Sequence, residues 1–184
     1  MKRFQVAIVG GGVAGLSAAL FLARAGISVA VFDQHESSLY RVSRVHNYLG
    51  FPDGIPGPEL IELGRRQATR FGAELFDEDV EAVANAGASF SVRTGAGAYE
   101  ADYAILASNK RTDIAHALGL ELGGFGNKFV SVDSEGRTAV DRLYAAGRIT
   151  GLPSQASISA GDGAKVAIAI IQRMRGGYYV DHDT

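Results

Sequence analysis

Gly10-Gly11-Gly12-Val13-Ala14-Gly15 constrains this chain more than any other stretch, because it joins an apolar run to a helix-forming one. Residues 5–9 are short, apolar, rich in β-branched side chains and closed by glycine, which predicts a buried strand. Residues 13–25 are rich in Ala and Leu and stop at Gly26, where a helix C-cap is favoured. Residues 28–32 predict a second buried strand. Strand, helix and strand in this order make a βαβ unit, with parallel strands and a right-handed crossover.

Each glycine of a G-x-G-x-x-G in that place has its own task. Gly10 permits the tight turn, Gly12 lets a pyrophosphate approach the backbone, and Gly15 lets helix and strand pack closely. The helix N-terminus turns free N–H groups and the positive dipole end toward the phosphates. Asp33, at the end of the second strand, can accept hydrogen bonds from adenosine ribose hydroxyls. Its charge also argues against a 2′-phosphate in the same pocket. On these residues alone, NAD and FAD both remain open.

Composition narrows the chemistry. With 18 Lys+Arg against 20 Asp+Glu there is no basic field for nucleic acid. The chain has no Cys, which excludes thiolate nucleophiles, Cys-ligated metal and redox dithiols within these 184 residues. Met1-Lys2-Arg3 before an apolar stretch has the outline of a signal peptide, but Gly10, Gly11, Gly12 and Gly15 interrupt it. A cytoplasmic protein is expected, acting on no membrane.

Further along, Pro58 suits the first position of a helix running to about Phe71, with Leu60, Leu63 and Ala68 inward. Its Arg65, Arg66 and Arg70 are expected on a solvated face. Residues 73–76 predict a strand, and residues 80–83, 90–93 and 98–100 a small antiparallel meander. Residues 103–107 and 143–146 predict core strands, residues 114–118 a short helix, and residues 158–175 a long final helix.

Five separated stretches resemble the FAD domain of thioredoxin reductases. They are VAIVGGGVAGLSAALFLARAG from Val6, then NYLGFPDGIPGPEL and RFGAEL, and finally LYAAG with QASISAG near the C-terminus. The small stand-alone flavoproteins related to that family, which lack its NADPH domain and CxxC, resemble the chain most. The resemblance implies FAD, with Gly10, Gly12, Val13, Ala14 and Gly15 at the pyrophosphate and Asp33 and Gln34 at the adenosine ribose. It places Val45 and Asn47 along the flavin side, Val80 at the adenine, and Ala107-Ser108 at the family's Ala-Thr-Gly turn. Gly147 and Arg148 fall near the ribityl and phosphate region, and Gln155, Ala156 and Ser157 near the isoalloxazine.

The chain also departs from that pattern. Residues 1–109 and 128–184 match the two halves of the family's FAD domain, and residues 110–127 form a short bridge where its NADPH domain would be inserted. The family's Gly-Asp pair reads Gly147-Arg148, and an Arg can only donate where an Asp accepts. Arg148 is therefore expected to reach a phosphate oxygen, to pair with an acid or to face solvent. Asp162 is expected in the first turn of the last helix, near the flavin. No histidine pair has metal-ligand spacing, and His46 is expected in a loop. Tyr178 and Tyr179 are expected to anchor the tail Asp181-His182-Asp183-Thr184.

The expected fold is α/β: one Rossmann-like FAD/NAD(P)-binding domain, a parallel βαβ core with a small antiparallel β-meander. The expected function is a FAD-dependent oxidoreductase working through flavin N5, with NAD(P)H as a transient reductant and a homodimer as the assembly. No catalytic side chain is assigned. The alternatives are a flavin-binding electron-transfer or scaffold subunit reduced by a partner protein, and an NAD(H)-binding module without flavin.

Overall fold

The apolar run ahead of the glycines becomes the centre of a sheet. The computed structural model describes residues 1–108 and 111–180. In chain order it holds β1 (Lys2–Val9), α1 (Val13–Arg24), β2 (Val29–Phe32), a 3₁₀ turn (Ser38–Arg41), α2 (Gly57–Arg70) and β3 (Glu74–Phe76). Next come β4 (Val80–Asn85), β5 (Phe90–Thr94), β6 (Gly97–Leu106), α3 (Thr112–Ala117), β7 (Leu122–Gly123) and β8 (Phe129–Val130). Last are β9 (Leu143–Ala145), a second 3₁₀ turn (Gly147–Thr150) and α4 (Ala156–Arg175).

The main sheet runs β3-β2-β1-β6-β5-β4, with β9 also on β6. β3, β2, β1, β6 and β9 are mutually parallel, and β4, β5 and β6 pair antiparallel. The architecture is thus a mixed α/β sheet with a parallel core, a Rossmann-like fold. One expectation changes. The segments 98–100 and 103–107 are a single strand, because β1 pairs with β6 from Lys2↔Tyr99 to Val9↔Leu106 and holds it straight past Asp102. The first half of β6 pairs with β5 and the second half with β9. The meander is therefore continuous with the core sheet.

Strand periodicity sorts the core onto two faces. Val6 and Ile8 point to one side, where Ala18, Ala19 and Leu22 of α1 meet Val166 and Ile170 of α4. Ala7 and Val9 point to the other side, with Phe32, Val80, Val83, Phe90, Ile114 and Val130. Helix–helix contact on the first side is close: a Cβ on Gly163 would lie 2.1 Å from the Ala14 carbonyl oxygen. The Ser17 hydroxyl also donates to the Ala160 carbonyl at 2.7 Å. This packing brings the N-terminal ends of α1 and α4 to the edge where the parallel strands end.

Among the described residues, no helix is long and apolar enough to cross a membrane. Of the two tyrosines expected as anchors, Tyr179 packs against the core, with Arg175 over its ring at 4.8 Å. Tyr178 does not; it is 88% exposed. The tail Asp181-His182-Asp183-Thr184 lies outside the described residues.

Candidate cofactor site

Each glycine of the turn meets a different constraint. Gly10 has φ +115°, and a Cβ there would lie 2.9 Å from the backbone of Ala107 and Ser108. Gly15 presses helix on strand so closely that a Cβ would sit 1.9 Å from the Gly10 carbonyl oxygen. Gly12 is different: its φ is −76°, and a Cβ would meet only the Ser37 side chain, at 3.7 Å or more. Neither backbone strain nor crowding by the protein requires glycine at that position. Gly12 is the N-cap of α1, no side chain caps the helix, and its first turn carries no acid. The leading N–H groups of α1 are thus left without a side-chain acceptor at a positive dipole end.

Those N–H groups open onto a cavity of about 420 Å³, within the ~300–1,000 Å³ usual for small-molecule sites. It runs along the carboxyl ends of the parallel strands, where ligands of open α/β sheets bind. Of the residues predicted from sequence, Gly10, Gly12, Val13, Ala14, Asp33, Gln34, Val80, Ala107, Ser108, Arg148, Gln155 and Ala156 line it. Gly15, Val45, Asn47, Gly147 and Ser157 stand behind or beside that wall. Gly15 sets the α1–β1 approach, and Val45 is buried in a satellite cluster with Ile55 and Leu60. Asn47 Nδ2 donates to Gln155 Oε1 at 2.8 Å, which fixes one end of the cavity. Ser157 is exposed in the first turn of α4.

At the opposite end Asp33 is 4% exposed. Its Oδ1 accepts from the His35 N–H at 3.1 Å and its Oδ2 from Arg65 Nη1 at 3.1 Å. Arg65 is not on the solvated face expected of it; its other amino group donates to Asp77 Oδ1 at 2.6 Å. Burial works against the guanidinium, but the hydrogen bond and charge of Asp77 and the charge of Asp33 raise its pKa overall. The Arg65 hydrogen bond, then its charge, with that of His35 added, hold Asp77 below the ordinary carboxylate range. Sequence reasoning also passed over Gly11, where a Cβ would lie 2.4 Å from Asp33 Cγ. The residue between the fingerprint glycines is small because the acid folds over it.

The wall near Val80 carries Glu78 and Arg111, neither of which local patterns single out. Thr94 Oγ1 donates to Glu78 Oε2 at 2.6 Å and Tyr99 OH to Glu78 Oε1 at 3.0 Å. Arg111 is held by Asp79 at 2.5 Å and Asp113 at 2.9 Å.

Toward α4, Gly147 adopts φ +79° and packs on Ala14; a Cβ there would come 2.7 Å from that of Ala14. Its N–H donates to Asp162 Oδ2 at 2.6 Å, and Lys165 Nζ lies 2.7 Å from Asp162 Oδ1. Asp162 therefore lies past the first turn of α4, which carries no acid, and its carboxylate is occupied in tethering Gly147. Arg148 follows, exposed, lining the cavity and donating to Ser154 Oγ at 3.0 Å. His46 is exposed beside Gly54 and is not part of the cavity wall.

Comparison with known proteins extends this geometry. Residues 5–46 match the model of the FAD dependent oxidoreductase family. The chain is 44% identical over 96 residues to NADPH-dependent thioredoxin reductase 3 of Arabidopsis thaliana, covering 49% of this chain and 18% of that protein. It is 43% identical over 105 residues to the thioredoxin reductase of Mycolicibacterium smegmatis, covering 56% of this chain and 34% of that one. Over these segments the chain is similar to thioredoxin reductases. In fold it is similar to a thioredoxin reductase structure from Gloeobacter violaceus, with TM-score 0.88 at 18% identity over 100% of this chain and 99% of that one. In sequence, the alignments span about a fifth to a third of the length of the two relatives named above.

Proposed function

We propose that the cavity is a FAD site and that the chain works as a FAD-dependent oxidoreductase. The observation that carries this is Gly12, a glycine that neither its φ nor crowding requires, at the uncapped start of a helix on a cavity wall. The room a Cβ would take there is the room a pyrophosphate needs. Gly10, Val13 and Ala14 with Gly12 would hold the pyrophosphate, and Asp33 with Gln34 the adenosine ribose. Val80 and Ala107-Ser108 would flank the adenine end, and Val45, Asn47, Gln155, Ala156 and Ser157 the flavin end. Arg148, beside a glycine seated on α1, would add a positive charge near the phosphates. Bound FAD supplies hydride or electron transfer at flavin N5, and the chain's residues bind and orient it.

The 184 residues carry no Cys, so this unit passes no electrons through a dithiol of its own. Residues 110–127 stand where the family's NADPH domain would be inserted, which leaves a nicotinamide or a redox partner protein to approach the flavin directly. We infer a homodimer in the cytoplasm as the working form.

Anaerobic mixing of the flavin-loaded protein with NADH and with NADPH tests this function. Rapid bleaching of the oxidised flavin is expected with one of them. No bleaching with either, in a protein that dithionite still reduces, would replace the oxidoreductase with an electron-transfer subunit served by a partner.

A further inference from the structure

Arg65 lies outside the nucleotide fingerprint in sequence, yet its side chain is only 15% exposed and its guanidinium bridges two acids on different elements. It reaches from α2 to Asp33 at the end of β2 and to Asp77, just beyond β3. An Asp side chain turns about two bonds and can take several rotamers. Here the carboxylate is fixed from three directions. The His35 N–H holds Oδ1, Arg65 holds Oδ2, and Gly11, lacking a Cβ, leaves the space that Cγ occupies. An ionised carboxylate has about four lone-pair positions. These two hydrogen bonds, among the described residues, leave further positions for a ligand at the cavity wall.

We propose that Arg65 is the residue that positions Asp33 for ribose recognition, so that discrimination in favour of a ribose 2′-hydroxyl depends on a side chain that does not line the cavity. This rests on the reading of the cavity as an adenine-dinucleotide site. Asp77 belongs to the same device: it anchors the far side of the Arg65 fork while being 58% exposed itself. His35 completes the outer ring, with Nε2 2.9 Å from Asp77 Oδ1 and Nδ1 3.1 Å from the Tyr40 hydroxyl. A planar guanidinium suits this task because its fork grips two carboxylates at fixed angles, which an ammonium does not.

The experiment compares ADP and 2′-deoxy-ADP as competitors that displace FAD from the full chain. The unaltered protein should prefer ADP by about tenfold, the worth of one charge-assisted hydrogen bond. Arg65→Met should shrink that preference to about twofold or less while ADP still competes through its phosphates. Asp77→Asn, a change at an exposed position that leaves Asp33 and Arg65 in place, should give an intermediate ratio. An unchanged ratio in Arg65→Met overturns the proposal; if that variant does not fold, an unchanged ratio in Asp77→Asn does so. Absence of FAD binding in the unaltered chain would instead overturn the reading of the cavity. FAD binding with no preference for ADP over its deoxy form would remove the ribose role of Asp33, and the proposal with it.

Discussion

Three glycines of one turn are expected to fail in three different ways when a methyl group is added. Gly15→Ala drives Cβ into the Gly10 carbonyl oxygen, and overpacking of that kind costs about 1–3 kcal/mol. A fall in thermal midpoint without ligand should report it. Gly11→Ala pushes on Asp33, so the ribose end should lose affinity along with some stability. Gly12→Ala has space for its methyl group and should fold normally. Its cost should appear only when nucleotide is added. The tight turn at Gly10 and the close helix–strand approach at Gly15 were legible in the sequence because a fixed spacing between strand and helix carries them. Gly11 and Arg65 were not, because the contacts that define them join positions 22 and 32 residues apart through a fold that spacing does not encode.

Asp162 behaves as a structural tether. The residue is 8% exposed, and its carboxylate accepts the Gly147 N–H and pairs with Lys165. Asp162→Ala leaves a buried donor unsatisfied, so a loss of about 1–3 kcal/mol is expected from chemical denaturation. Asp162→Asn keeps an acceptor oxygen and should lose less.

Among the elements, α2 carries one misreading, at Arg65. Its inward Leu60 and Ala68 follow helical periodicity and are buried as expected. Periodicity also assigns Arg65 to solvent, but the end of β2 and the segment after β3 bring Asp33 and Asp77 within its reach. The β6 strand was legible as two pieces because Asp102 breaks its apolar run; Arg3, 2.5 Å from that carboxylate, answers it from β1. Acid should loosen these joints in a defined order of sign. Asp77, Asp113 and Asp141 are held below the ordinary value of 3.8 mainly by hydrogen bonds from Arg65, Arg111 and Arg173. A carboxylate whose folded pKa is depressed contributes stability above its unfolded value and loses it as pH falls through the folded one. The thermal midpoint should therefore hold near neutral pH and fall once pH drops below the ordinary carboxylate value. Asp77→Asn should make that fall shallower. A midpoint that rises on acidification would contradict the pairings.

For the molecule as a whole, the two faces of one sheet divide the labour. α1 and α4 pack on one face and deliver their N-terminal ends to the cavity, while the meander, α3 and the β7–β8 hairpin close the other. A ligand that binds only the folded chain adds stability that grows with its concentration, about 2.7 kcal/mol at a hundredfold excess over Kd. FAD should therefore raise the thermal midpoint of the unaltered protein and do so much less for Gly12→Ala.

The most direct measurement is a titration of the full chain and of Gly12→Ala with FAD, followed by flavin fluorescence, after confirming that both have the same circular dichroism. Saturable binding of one FAD per chain is expected for the unaltered protein, with affinity weakened about tenfold or more in the variant, the scale of one lost charge-assisted contact. Equal affinity in the two chains, or no binding in the unaltered one, would contradict the assignment of the α1 cradle to the FAD pyrophosphate.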